Sequence, residues 1–202
     1  MSPAAAGRPR VLVRAVVGTQ RDFRVRRSCE AAGVPDPLRF DPIQEAARQW
    51  HEHWGSATVA PMTAVTSIMR LHQIVLVRLN ELLGPHDLTF ARYEALMLLY
   101  YSRRGELPLG KISDRLQVHR ASVTNVIDKL CERGYVDRVQ HEHDRRTVLA
   151  RISGEGRRVA RRSTKVLNDA GFGMEPLTGE QCMQLTALAT PVRVEAGDFE
   201  LG

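Results

Sequence analysis

The chain has 202 residues, 43% hydrophobic and 26% charged, with a formal net charge of +6. That is room for one domain of ordinary size with its own core plus a tail, and it excludes a chain that is disordered throughout. No uninterrupted apolar run approaches the ~18–20 residues of a bilayer span, and Cys29, Cys131 and Cys182, odd in number and far apart, argue against a disulfide scaffold or a cysteine zinc cluster.

Residues 1–37 carry Pro3, Pro9, Pro35 and Pro37, three glycines and scattered arginines without a helical period. They read as a disordered basic tail or as the product of a mis-called start, with a DNA-contacting arm as the sharper alternative. The apolar stretch Val11–Val17 follows basic residues as in a signal peptide, but Arg14 interrupts it and no small-residue cleavage site follows. A cytoplasmic location is expected.

Asp41-Pro42 predicts a helix start, an acidic cap followed by proline at the first helical position, with the helix running to about Trp54. Pro61-Met62-Thr63 predicts a second start. From it Val65, Ile68, Met69, Leu71, His72, Val75, Leu76, Leu79, Leu82 and Leu83 recur at helical spacing until Gly84-Pro85. So wide an apolar face predicts burial against a partner subunit as well as the local core. Thr89 caps the next helix, with Tyr93, Leu96, Met97, Leu99 and Tyr100 inward.

Two short helices follow, Gly110 to Leu116 and Arg120 to about Arg133, the second stopped by Gly134. The period then changes. Tyr135, Val136 and Val139, and later Val148, Leu149 and Ile152, flank the polar tip 140–146, which predicts a two-stranded hairpin. Ser153 caps a helix to about Asp169 that exposes Arg157, Arg158, Arg161, Arg162 and Lys165. A last helix spans about Thr178 to Ala189, and residues 191–202 read as frayed.

Helix, tight turn, helix and hairpin make a winged helix-turn-helix. The expected class is mostly α with a small β-hairpin wing, with N- and C-terminal dimerisation helices. Residues 103–151 carry eleven basic against seven acidic side chains, a basic surface suited to a polyanion. The second short helix presents Arg120, Ser122, Thr124, Asn125, Asp128 and Lys129 outward, and the Arg, Ser, Thr, Asn and Lys side chains among them bond base edges and phosphates in a major groove. The hairpin tip holds Asp144, Arg145 and Arg146. A guanidinium suits the narrow minor groove of A·T-rich DNA, and an aspartate two residues earlier would fix its pose.

Ile112-Ser113-Asp114-Arg115-Leu116, the run Ala121 to Val136 and the run Asp144 to Gly156 together resemble the core of the MarR family of bacterial transcription regulators. The likeness is strong from about Leu88 to Arg162 and looser from Asp41. It implies a MarR-like domain over about 38–190, with the winged helix at about 88–152 and dimerisation helices at about 41–83 and 154–190. It also implies a homodimer on a pseudo-palindromic operator of double-stranded DNA. On it, Ser122, Thr124 and Asn125 meet the major groove, Arg146 enters the minor groove and Asp144 orients it. His119, Gln117 and Gly110 depart from the family's usual cap, turn and polar residues. The resemblance further implies a cleft for an aromatic or phenolic effector, for which Trp54, His72, Arg92, Tyr93 and Met97 are the candidate lining. The expected function is a repressor released by that effector, with no cofactor, no metal and no membrane partner. The alternatives are a cysteine-based redox sensor of the same fold, an enzyme on nucleic acid that docks through the winged helix, and a protein-interaction module. His51, His53 and the run His141–Asp144 read as solvated side chains, and Trp50 with Trp54 as packing.

Overall fold

The computed structural model describes residues 37–141 and 147–200. The arm up to residue 36 lies outside the described residues, as do Asp144, Arg145 and Arg146 at the wing tip.

From Asp41 onward the chain forms one compact unit. Asp41 caps α1 (Pro42–Trp54) by accepting the amides of Ile43 and Gln44. Helix α2 (Val59–Leu83) begins two residues before the predicted Pro61. Proline is tolerated there because first-turn amides have no intrahelical acceptor. Thr89 caps α3 (Phe90–Tyr101) by accepting the Arg92 amide.

A strand that the sequence reading missed follows: β1 (Glu106–Pro108), then α4 (Leu109–Leu116) and α5 (Arg120–Glu132). Strands β2 (Val136–Gln140) and β3 (Val148–Ile152) form the predicted hairpin, and β1 adds to it in the order β1-β3-β2, all antiparallel. The wing is therefore a three-stranded sheet rather than an isolated hairpin.

Ser153 caps α6 (Gly154–Asp169), and Thr178 forms a capping box with Gln181 at the start of α7 (Gly179–Glu195). Helix α7 runs through Pro191 rather than stopping short of it. The expectation of a frayed end from residue 191 is corrected for residues 191–195. The helix closes when Gly197, at φ 73, turns the chain so that its amide reaches Val194 and that of Asp198 reaches Arg193. The Asp198 carboxylate then pairs with Arg193 at 2.5 Å, and Arg193 covers the Phe199 ring.

The core lies where α3, α5, α6 and the end of α2 meet the sheet. Leu83, Leu96, Leu99, Ile112, Ile127, Leu130 and Leu167 are fully buried there, each contributing about 1.5–3 kcal/mol. Three helices stand largely apart from it. Helix α7 has no buried residue, α1 buries only Ala47, and α2 buries only Leu79 and Leu83. Helix α2 is long and apolar enough, by length and composition, to cross a bilayer, although no uninterrupted apolar run is that long. Its C-terminal end is tied into the core by those leucines and by Asn80, whose side-chain oxygen accepts the Phe90 amide at 2.8 Å. Val65, Ile68, Met69 and Val77 on α2, and Met183, Leu188 and Val192 on α7, remain open.

Candidate nucleic-acid interface

The helix-turn-helix is built from two departures from the usual residues. Gln117 ends α4 in the left-handed region, at φ 52, where its amide still reaches the Ser113 carbonyl. Ser113, buried behind it, donates its hydroxyl to the Val118 carbonyl at 2.6 Å. His119 then caps α5: its Nδ1 accepts the Ala121 amide at 3.2 Å. An imidazole accepting at Nδ1 carries its proton on Nε2. The Gln117 side chain also donates to the Asp198 carbonyl at 2.9 Å, joining the end of α7 to this turn.

Helix α5 docks through Val123, Ile127 and Leu130. Arg120, Ser122, Thr124, Asn125, Asp128 and Lys129 are all exposed. Arg120, Ser122 and Asn125 have no side-chain hydrogen bond to another described residue, so their donors and acceptors are open. The Thr124 hydroxyl donates back to the Arg120 carbonyl at 3.2 Å, and Lys129 donates to both oxygens of Glu132 at 2.9 Å. Lys129 must loosen that pair to meet a phosphate. Asp128 accepts from Arg138 of β2 at 2.6 Å, a bond that the sequence did not signal.

At the other end of α5, the Gly134 and Tyr135 amides return to the carbonyls of Cys131 and Leu130, and Gly134 takes φ 67. Only a residue without Cβ adopts that turn freely. Burial pushes the Cys131 thiol up, against the opposing charge of Arg138. A raised thiol is the unreactive form, which disfavours a thiolate switch at this position. Among the described residues, no group of three or more His, Cys, Asp or Glu is placed to hold a metal ion.

A groove of about 370 Å³ opens between α3 and α6, lined by Met97, Tyr100, Tyr101, Arg161, Thr164 and Lys165 among others. Of the five predicted lining residues only Met97 borders it. Tyr93 is buried just behind, its hydroxyl 3.0 Å from that of Thr164, which also meets the Met97 sulfur. Trp54 lies exposed at the end of α1 against Trp50, His72 is exposed on α2, and Arg92 stands in the first turn of α3; none of these three borders the groove. The sequence predicts Tyr100 on the core side of α3 and Arg161 on an exposed face of α6. The two meet here: Arg161 Nε donates to the Tyr100 hydroxyl at 3.0 Å, and both Arg157 and Arg161 lie 5.9 Å from its ring centre.

A family model described as the MarR family matches residues 88–148. The chain is similar to Sco5413, a MarR family transcriptional regulator from Streptomyces coelicolor, with 43% identity and a TM-score of 0.66. That likeness covers 71% of this chain and 99% of the other. It is 23% identical to the HTH-type transcriptional regulator PecS of Dickeya dadantii, over 74% of this chain and 92% of the relative. Sco3205, a MarR family regulator from Streptomyces coelicolor solved in complex with DNA, shares the fold at a TM-score of 0.61 and 21% identity, over 74% and 96% of the two chains.

Proposed function

The chain belongs to the MarR family of transcriptional regulators, and from that premise we propose that it is a homodimeric repressor released by a small aromatic or phenolic anion. The family makes it a DNA-binding regulator of transcription. The observation that supports sequence-specific reading is the outer face of α5, where Arg120, Ser122 and Asn125 stand exposed and unpaired. Asparagine pairs bidentately with adenine and arginine with guanine. Each subunit offers one α5 to half of a pseudo-palindromic operator, so the half-sites lie about one helical turn apart. The open apolar faces of α2 and α7 fit the second subunit, and the work is done in the cytoplasm.

The groove between α3 and α6 suits the effector. Its aromatic walls stack on a ring, while Arg161 offers charge to a carboxylate or phenolate; Lys165 pairs at 2.6 Å with Asp169, which lines the same groove, and would have to leave it to join. It borders α3 and α6, which link the winged helix to the helices that carry the open faces. A ligand that prefers a different separation of the two recognition helices lowers operator affinity by its differential binding to the two states.

Selection from a random duplex library tests this reading. The wild-type protein should recover an inverted repeat, and failure to enrich any sequence would overturn it. Asn125→Ala should flatten the preference at one position of each half-site while leaving non-specific affinity nearly unchanged. An identical base preference would remove Asn125 from the reading set. Arg146→Ala, at the wing tip outside the described residues, should weaken operator binding by about tenfold or more, as each specific base contact contributes roughly 1–3 kcal/mol. The loss should be greatest with A·T-rich flanks. Unchanged anisotropy titrations at fixed salt would exclude that role.

A further inference from the structure

We propose that Arg138 is a positioning residue for DNA reading, which, held by Asp128, locks the wing to the outer face of the recognition helix.

The sheet geometry places it there. Side chains of Val136, Arg138 and Gln140 share one face of β2, and their partners Ile152, Ala150 and Val148 share the same face of β3. Val136, Ala150 and Ile152 on that face are buried against the helices. Arg138 therefore starts from the sheet face that packs on the helical core. Its partner Ala150 is small and leaves room for its stem. Its guanidinium Nη2 donates to Asp128 Oδ1 at 2.6 Å. Its charge also acts on the Cys131 thiol, about one turn further along α5.

Asp128 is the reason the pair matters to function. It lies three residues after Asn125 on the exposed face of α5. A free carboxylate there would repel the phosphates that the same helix must approach. Its pairing with Arg138 removes that repulsion and ties the reading helix to the strand that leads to the wing tip. Both side chains remain partly exposed, at 35% and 50%. Pairs so exposed add little to stability. What the bond fixes is the offset between the major-groove and minor-groove elements of one subunit.

The inference rests on the DNA-reading function, and the test keeps the two separate. The probes are a 25-base-pair duplex recovered by selection with the wild-type protein and a shuffled duplex of the same composition. If the wild type enriches nothing, the reading of sequence fails before Arg138 is tested. Otherwise, Asp128→Asn and Arg138→Gln should each lower the ratio of selected to shuffled affinity by about tenfold. The double variant D128N/R138Q restores the net charge and so the wild-type salt dependence. Its ratio should stay about tenfold low, no worse than the single variants, as expected for two partners of one bond. Arg138→Lys, which keeps one charged bond to Asp128, should recover most of the ratio. Recovery of the full ratio in the double variant would overturn the proposal, because the pair would then only balance charge. An unchanged ratio for Arg138→Gln with a salt slope lower by about one would also overturn it, because Arg138 would then be a phosphate contact.

Discussion

Gly156→Ala should destabilise the folded protomer by about 3 kcal/mol or more, since overpacking against backbone exceeds the usual cost of an added methylene. Gly156 stands in the first turn of α6, where its amide donates to the capping Ser153 hydroxyl at 2.9 Å. A Cβ at this position would lie 2.1 Å from the Tyr135 carbonyl oxygen and 2.9 Å from Ile152 Cγ1. Neither neighbour can give way. The Tyr135 carbonyl accepts the Ser153 amide at 3.0 Å, and Ile152 is buried in the core at the end of β3. The clash would pry α6 from the winged helix at the point where the two are joined. For a domain of this size the melting temperature should fall by roughly 6–12 °C. Gly154→Ala is the control, because its Cβ would meet only the far end of Arg158, at 3.9 Å. Thermal denaturation followed by circular dichroism decides the matter, and equal melting of the two variants would show that the close approach is not sustained in solution.

Leu188→Glu should abolish the proposed dimer and with it most of the operator affinity. Leu188 is 77% exposed on a helix with no buried residue, so the substitution leaves the core of each protomer intact. Leu185 and Val192 lie one turn to either side and share its open face. Burying a leucine contributes about 1.5–3 kcal/mol, the change occurs in both subunits, and a carboxylate placed in an apolar interface adds a desolvation cost. The dissociation constant of the dimer should rise by roughly a thousandfold or more. Sedimentation equilibrium would show single chains at micromolar concentration. Affinity for a full palindrome should fall by about 10²–10⁴, the advantage that linking two half-site contacts confers. Affinity for an isolated half-site should not change. A variant that remained dimeric would move the interface off α7.

Much of the fold was legible because its signals are local. Asp41, Thr89, Ser153 and Thr178 each announce a helix by a side chain that accepts an amide two or three residues on, and all four do so. The shift from helical period to alternating β-type residues after Gly134 marked the wing strands. Strand β1 was not legible, because three residues ending in proline have no period of their own. They are extended because β3 lies alongside and Ile152 donates its amide to the Gly105 carbonyl at 2.8 Å. The end of α7 is not legible in the sequence for a related reason. Pro191 is a local stop signal, overridden by a capped turn and an ion pair seven residues later.

The candidate site divides along the same line. The outward residues of α5 follow from counting along one helix, so Arg120, Ser122, Thr124, Asn125 and Lys129 could be placed from order alone. The groove could not. Tyr100 and Arg161 are sixty-one residues apart, and Trp54, His72 and Arg92, chosen by chemical type, sit on surfaces that do not border it. The amino-acid order by itself determined most of the helices and their starting caps, the exposed face of α5 and the family, since each is written in the spacing of near neighbours. Only the packed chain decided the third strand, the lining of the groove and the bond from Arg138 to Asp128. Those depend on which distant surfaces meet, and that is set by burying the whole core at once rather than by any one segment.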